Sequence, residues 1–137
     1  YAAHSLDKIC YLTQSDIAWA TGSCTYLQPG TDVDGSAQML LRTSSGISAS
    51  ISLCGYSVVP IDETMLFFAN GSLRLHTGSD LSVTCGSGYE TVDTSSYPNA
   101  FEAQWADFIS GVRAGRILYC DGTYGASIVR TIELLYH

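Results

Sequence analysis

A histidine and an aspartate stand three residues apart near the start of the sequence, in the segment His4-Ser5-Leu6-Asp7. On an α-helix such residues share a face, so the imidazole and the carboxylate would be neighbours. A carboxylate beside an imidazole can orient the ring and change its pKa, which suits a general acid or base or a clamp on a substrate hydroxyl. A structural explanation is also open, in which Asp7 interacts with the helix dipole and His4 is an exposed terminal residue.

The elements that would position this pair can be predicted from periodicity. Apolar residues at helical spacing predict a helix from about Ala3 to Gln14. A β-like stretch follows from Ile17 to Leu27, and the turn formers Gln28-Pro29-Gly30 close it.

The clearest hairpin runs from SAQMLLRT through the turn SSG into ISASISLC, which alternates with period two. One face of its second strand is apolar, with Ile47, Ala49, Ile51 and Leu53. The other face carries small polar side chains, those of Ser48, Ser50, Ser52 and Cys54. Such a face either stays solvated or lets another surface approach closely, as in an oligomer contact through the sheet.

A second hairpin is predicted from ETMLFFA through Asn70-Gly71 into SLRLH, followed by a short strand, DLSVTC. Asn70-Gly71-Ser72 also fits a glycosylation sequon, but Asn-Gly is the preferred dipeptide of type I′ hairpin turns, and we favour the turn. The polar, turn-rich residues 86–99 are predicted to be mainly loop.

Two helices are predicted to close the chain. The first begins at Asn99, with Glu102 as its capping-box partner, and ends near Gly115. The second begins at Asp121 to Thr123 and runs to the C-terminus. Both carry an apolar stripe at helical spacing. The order of elements predicts an α+β fold, a largely antiparallel or mixed open sheet of about six strands with helices on one face, in one domain over residues 1–137.

Composition and charge exclude several classes of function. The net charge is -7, and the six basic residues are scattered, which argues against nucleic-acid binding. No apolar run approaches the roughly 20 residues of a membrane span, so we expect no membrane partner. The five cysteines form no CxxC pair and the three histidines lie far apart, so no metal site is expected. The cysteine pattern favours reduced thiols and a cytoplasmic location. CGSGYET is no dinucleotide fingerprint, because Thr91 ends it.

Four stretches, in order along the chain, resemble the C-terminal domain of the glucose–fructose oxidoreductase/inositol dehydrogenase (Gfo/Idh/MocA) family. AAHSLDKICYLT is similar to the family's Asp-x-x-x-His-x-x-Asp helix start, and VDGSAQMLLRTSSGISASISL is similar to its strand pair. NGSLRL matches the end of its Gly-Ser/Thr-Leu hairpin, and NAFEAQWADFISGVRAGRILYCDGTYGASIVRTIELLY resembles its closing helices. The order of the motifs over nearly all residues carries the resemblance, rather than any one of them.

The resemblance implies an open sheet like that of the C-terminal domains of dihydrodipicolinate reductase and glyceraldehyde-3-phosphate dehydrogenase. It implies that His4 is the catalytic-site histidine, which helps to move a proton as hydride leaves a substrate carbinol carbon. Asp7 would contact the substrate or support His4, and Tyr97 would face the substrate. The sheet would pair subunits into a homo-oligomer.

The family's cofactor, NAD or NADP, is held by an N-terminal Rossmann domain that this chain does not contain. The family's glycine-rich loop and the lysine of its Glu-Lys-Pro motif are absent, its first aspartate would fall one position before Tyr1, and Phe68 stands where a glycine is usual. We therefore expect this chain alone to bind no dinucleotide and to turn over no substrate. A non-catalytic binding or assembly module with the same fold is the main alternative, and a secreted glycosylated domain is a weaker one.

Overall fold

The structure is a computed structural model, and it describes residues 2–26, 34–55 and 59–134. Three helices and seven strands lie in this part of the chain. Their bounds are α1 Ala2–Thr13, β1 Ile17–Tyr26, β2 Asp34–Thr43, β3 Ser48–Cys54, β4 Glu63–Phe68, β5 Gly71–His76, β6 Leu81–Thr84, β7 Glu90–Val92, α2 Ala100–Ala114 and α3 Gly122–Glu133. The described residues fall into two compact units, one within 1–56 and 117–137 and the other within 57–116.

The first unit is a three-stranded antiparallel sheet, in the order β1-β2-β3, with its core on one face. Because directly opposed residues of neighbouring strands share a face, the pairing of Met39 with Ile51 builds an apolar surface. Helix α1 adds Leu6 and Cys10 to this core, and α3 adds Ile128. The core therefore fixes α1, the helix that carries His4.

The opposite face of this sheet is exposed and rich in hydroxyl groups. Ser48, Ser50 and Ser52 of β3 lie on it, and across β2 the exposed Leu40 pairs with Ser50. We call this surface the hydroxyl face; its residues are Trp19, Thr21, Ser23, Thr25, Ser36, Gln38, Leu40, Arg42, Ser48, Ser50, Ser52 and Cys54. The predicted alternation of β3 is confirmed, except that Ile47 precedes the strand and is 45% exposed. The predicted turn at residues 28–30 lies outside the described residues.

The second unit contains a four-stranded antiparallel sheet, in the order β4-β5-β6-β7. Phe68 pairs with Gly71, so Ala69 and Asn70 form the two-residue turn between β4 and β5. The hairpin is confirmed, but its turn lies one residue before the predicted Asn70-Gly71, and it is not of type I′ because neither turn residue has a positive φ. Strand β7 lies within the stretch 86–99 that was predicted to be mainly loop.

Helix α2 of the second unit begins and ends where the sequence predicts. The side chain of Asn99 accepts a hydrogen bond of 3.0 Å from the amide of Glu102, and Gly115 adopts the left-handed conformation (φ 63°) that ends the helix. Its apolar stripe, however, is exposed, from 42% at Ile109 to 83% at Phe101. Periodicity predicts an apolar face but not the surface that covers it, and in α2 only Gly111 is buried.

The α+β class and the antiparallel pairing are thus confirmed, with the strands of the described residues divided into sheets of three and four. Helix α1 matches the predicted span to within one residue at each end. Helix α3 begins at Gly122, within the predicted start, and Asp121 is its N-cap. None of the helices in the described part of the chain is long and apolar enough to cross a membrane.

Candidate functional site

His4 and Asp7 both lie on α1, at the spacing that places them on one face of the helix. His4 is in the first turn and is exposed, whereas Asp7 is half-buried. Leu6, between them in sequence, is fully buried (0% exposed) and anchors this turn in the core. The helix therefore presents an accessible imidazole on a well-packed element.

The carboxylate of Asp7 has a defined partner in the structure. The hydroxyl of Tyr124 donates a hydrogen bond of 2.6 Å to Oδ1 of Asp7. Tyr124 is positioned by the start of α3, where the side chain of Asp121 accepts a hydrogen bond of 2.8 Å from its amide. The ring of Tyr119 lies 4.9 Å from that of Tyr124, and the ring of Tyr11 meets Tyr119 edge-on at 5.6 Å.

The surroundings of Tyr124 keep its hydroxyl protonated. Burial raises the pKa of Tyr124, and the hydrogen bond to the Asp7 carboxylate raises it further. Tyr124 therefore acts as a donor, and one oxygen of Asp7 is engaged as its acceptor. Tyr124 lies at helical spacing from the apolar residues of α3, and no local pattern in the sequence indicates a partner 117 residues away.

Within the described residues, no hydrogen bond to the imidazole of His4 is found. Its predicted interaction with Asp7 thus amounts to a shared helix face rather than a direct contact in this structure. An accessible imidazole without an internal partner can exchange a proton with an external molecule. The catalytic role of His4 and the substrate-binding role of Asp7 stay predictions.

Tyr97, the third predicted site residue, belongs to the second unit and lies between β7 and α2. Its side chain is 74% exposed, and its amide donates a hydrogen bond of 3.1 Å to the carbonyl of Thr94. The phenol is accessible, as a substrate-facing side chain must be, and its role also stays a prediction.

A charged cluster in the second unit was not predicted. Nδ1 of His76 lies 3.1 Å from Oδ1 of Asp80, and its Nε2 lies 3.2 Å from Oε2 of Glu63. Nε of Arg74 lies 2.7 Å from Oε1 of Glu63 and forms an ion pair with it. The turn predicted at Asn70-Gly71 would place Glu63 opposite Gly78, whereas the observed turn at 69–70 places it opposite His76.

The hydrogen bond from His76 lowers the pKa of Glu63, and the charge of Arg74 lowers it further. The hydrogen bond from Ser79 lowers the pKa of Asp80, and the hydrogen bond from His76 acts in the same direction. Throughout the described ranges, no group of His, Cys, Asp and Glu side chains is arranged to hold a metal ion. The cluster is therefore a network of ion pairs on the sheet.

Comparison with known proteins gives a match in structure but not in sequence. No protein-family model matches the chain, and no curated protein matches it. An aldose-aldose oxidoreductase from Caulobacter crescentus, complexed with glycerol, is similar over 98% of this chain and 42% of its own, with a TM-score of 0.85 and 19% identity. A UDP-N-acetylglucosamine 3-dehydrogenase from Acidithiobacillus ferrooxidans is similar over 98% of this chain and 44% of its own, with a TM-score of 0.82 and 19% identity.

A levoglucosan dehydrogenase, in complex with NADH and levoglucosan, is similar over 97% of this chain and 47% of its own, with a TM-score of 0.79 and 16% identity. The chain spans less than half the length of each of these proteins. Nearly every residue of this chain thus takes part in a fold that it shares with one portion of these oxidoreductases.

Proposed function

We propose that this chain is the substrate-side and assembly domain of an NAD(P)-dependent oxidoreductase of the Gfo/Idh/MocA type. The substrate of the parent protein would be a sugar, a polyol or a related hydroxyl compound. The observation that carries the proposal is the similarity, over 98% of the chain, to an aldose-aldose oxidoreductase. The four ordered sequence motifs support the same family independently of that similarity.

His4 is the residue to which we assign the proton transfer. Oxidation of a carbinol to a carbonyl removes the hydroxyl proton, and an imidazole can accept it as a general base. The exposed position of His4 on a helix anchored by Leu6 supports this role. Asp7 would support the same helix face, and Tyr97 would contact the substrate.

The described residues do not fit a dinucleotide site. All their strand pairs are antiparallel, and no strand among them leads through a glycine-rich turn into a helix, the unit that cradles a pyrophosphate. The proposal therefore assigns NAD or NADP to a part of the parent protein outside this chain. The NADH bound to levoglucosan dehydrogenase supports a nicotinamide cofactor for the parent.

The hydroxyl face supports the assembly role. Its serines and threonines are small, so a second sheet can approach it closely, and two exposed apolar side chains, Trp19 (52%) and Leu40 (57%), lie among them. We propose that this face packs against a second copy of the chain to form a homo-oligomer.

A non-catalytic binding or assembly module is the second candidate. The observation that favours it is the engagement of Asp7 by Tyr124, which leaves the His4 imidazole with no carboxylate partner in the described residues. Such a module would keep the helix packing and the hydroxyl face while lacking the proton transfer.

The two candidates differ in the effect of His4→Ala on the parent protein. Oxidation of D-glucose, glycerol and myo-inositol, each with NAD+ and with NADP+, can be followed by the absorbance of the reduced nicotinamide. Loss of the general base should lower kcat/KM by roughly 10²–10⁴-fold. His76→Ala, in the second unit, is the matched control and should leave kcat/KM within a few-fold. If His4→Ala leaves kcat/KM unchanged, the non-catalytic module is favoured. If the parent protein oxidises none of these substrates with either cofactor, the result argues against the oxidoreductase proposal.

A further inference from the structure

The first unit contains a cavity that neither His4 nor the hydroxyl face uses. Its volume is about 330 Å³, and it lies where the C-terminal end of α1 meets the β2–β3 turn and the start of α3. We call it the α1-end cavity; its lining residues are Cys10, Gln14, Ser15, Asp16, Ser44, Tyr119 and Tyr124. His4 is not among these residues, and the six residue steps from His4 to Cys10 span about 9 Å of helix.

The rim of the cavity is held in place by hydrogen bonds. The amide of Ser44 donates to the carbonyl of Asp16 at 2.8 Å, and the amide of Ser45 donates to the hydroxyl of Ser15 at 3.0 Å. Gln14 has a left-handed backbone (φ 50°), and its side-chain amide donates to the carbonyl of Tyr11 at 2.6 Å. The loop between α1 and β1 is thus fixed to the β2–β3 turn, so the cavity is preformed.

The charge of the cavity is negative and uncompensated. The carboxylate of Asp16 is exposed, and no cationic side chain of the described residues pairs with it. Neither lysine nor arginine occurs in the lining. Burial raises the pKa of the Cys10 thiol, and the nearby carboxylates of Asp16 and Asp7 raise it further. The thiol therefore stays protonated, which fits a binding site rather than a nucleophilic centre.

Two aromatic rings complete the wall. The rings of Tyr119 and Tyr124 are tilted by 46° with their centroids 4.9 Å apart. Aromatic faces attract cations through the ring quadrupole, and a carboxylate adds direct attraction. An anion would be repelled, and a neutral polyol would gain only hydrogen bonds to the carboxylate, whereas a cation also gains the attraction between opposite charges. We propose that the α1-end cavity binds a small organic ammonium ion, with its charge on Asp16 and its alkyl groups against Tyr119 and Tyr124.

A titration of the protein with n-propylammonium chloride tests this, with backbone amide shifts followed by NMR. The shifts should concentrate on residues 10–16, 44–45 and 119–124 and should saturate. Asp16→Asn should weaken binding by roughly fivefold or more, since it removes a unit charge a few ångströms from the ligand. Glu133→Gln, at the other end of α3, changes the net charge equally and should leave binding unchanged.

Several results would overturn the proposal. These are equal weakening by Asp16→Asn and Glu133→Gln, shifts spread over all acidic surfaces, or glycerol binding as tightly as n-propylammonium. Because Asp16 is exposed, Asp16→Asn is not expected to disturb folding, and its amide spectrum verifies that. The inference concerns binding alone, so it stands or fails independently of the proposed oxidoreductase role.

Discussion

The hydroxyl of Tyr124 donates a hydrogen bond of 2.6 Å to Oδ1 of Asp7, which lies 117 residues away in the sequence. The bond joins the first turn of α3 to the middle of α1, beside the buried Leu6. Since the acceptor is a half-buried carboxylate, this bond belongs to the stronger class of hydrogen bonds. It holds the helix that carries His4 at a second point besides its apolar core.

Replacing Tyr124 with Phe removes the donor and leaves the Asp7 carboxylate with one acceptor unsatisfied. We expect the free energy of unfolding to fall by about 1.5–3 kcal/mol, as for hydrogen bonds to charged groups. Tyr89→Phe is the matched control, because it removes a 2.9 Å hydrogen bond to the neutral hydroxyl of Ser72 at an exposed position. Urea unfolding measures both; equal losses would show that the Tyr124 bond has no special strength.

Asp7→Asn probes the same bond from the acceptor side. Residues in direct contact give non-additive effects, so the double variant with Tyr124→Phe should lose less stability than the sum of the single variants. The cycle requires all four proteins under one urea protocol. Additive losses would mean that the 2.6 Å contact contributes nothing of its own in solution.

The ring of His76 has one nitrogen with a single partner and one with two. Nδ1 faces Asp80, whereas Nε2 lies 3.2 Å both from Nη2 of Arg74, a donor, and from Oε2 of Glu63, an acceptor. A neutral ring that donates from Nδ1 accepts from Arg74 at Nε2, and a protonated ring donates to Glu63 instead. Protonation therefore changes which neighbour Nε2 pairs with.

Acid should lower the free energy of unfolding of the β4–β5 hairpin. The pKa values of Glu63 and Asp80 are lowered by their hydrogen bonds, so both carboxyls bind protons more weakly in the folded state. Their contribution to stability is complete above about pH 5 and is lost as the pH falls below about 4. Urea midpoints from the amide signals of β4 and β5 should fall with pH less steeply in Glu63→Gln than in the natural protein. Glu90→Gln is the control; if it flattens the profile equally, the cluster is not responsible.

The sequence predicted most elements because their signals are local. Asn99 with Glu102 and Gly115 fixed the ends of α2, and the alternation of 48–53 fixed the two faces of β3. The Tyr124–Asp7 bond and the α1-end cavity could not be predicted, because each depends on how distant elements pack. The exposed apolar face of α2 has the same explanation. The spacing of its residues predicts an apolar face, but local sequence does not predict which surface packs against that face.

The ion pairs of His76 were missed by the sequence-based prediction for a different reason. The three histidines lie far apart in the sequence, which argues against a metal site built from them but not against carboxylate partners for His76. Its actual partners are Glu63, which the hairpin register places opposite, and Asp80, in the turn after β5. The register was within reach of the sequence once the two-residue turn at 69–70 was known.

Gly71 is required by the close approach of β5 and β6. A Cβ at this position would overlap the carbonyl oxygen of Thr84 and come within 3.1 Å of its carbonyl carbon. Because these are backbone atoms, they cannot move aside as a side chain would, and Gly71→Ala should destabilise the protein by about 1–3 kcal/mol. Gly88→Ala, where a Cβ meets nothing within 4 Å, should change stability by no more than about 0.5 kcal/mol. Similar urea midpoints for the two variants would contradict the close approach.

If the hydroxyl face forms the contact between two copies of the chain, a single charged substitution on it should prevent dimer formation. Ser50 is exposed on β3, directly opposite Leu40 of β2, so an arginine there would place a long charged side chain where a second sheet has to approach. A buried unpaired charge is strongly unfavourable, and Ser50→Arg should therefore shift sedimentation from dimer to monomer. Ser87→Arg, in the exposed β6–β7 loop, adds the same charge at a residue that does not belong to this face and should leave the dimer intact. A natural protein that stays monomeric at high concentration, or a Ser50→Arg variant that still dimerises, would show that the face is simply solvated.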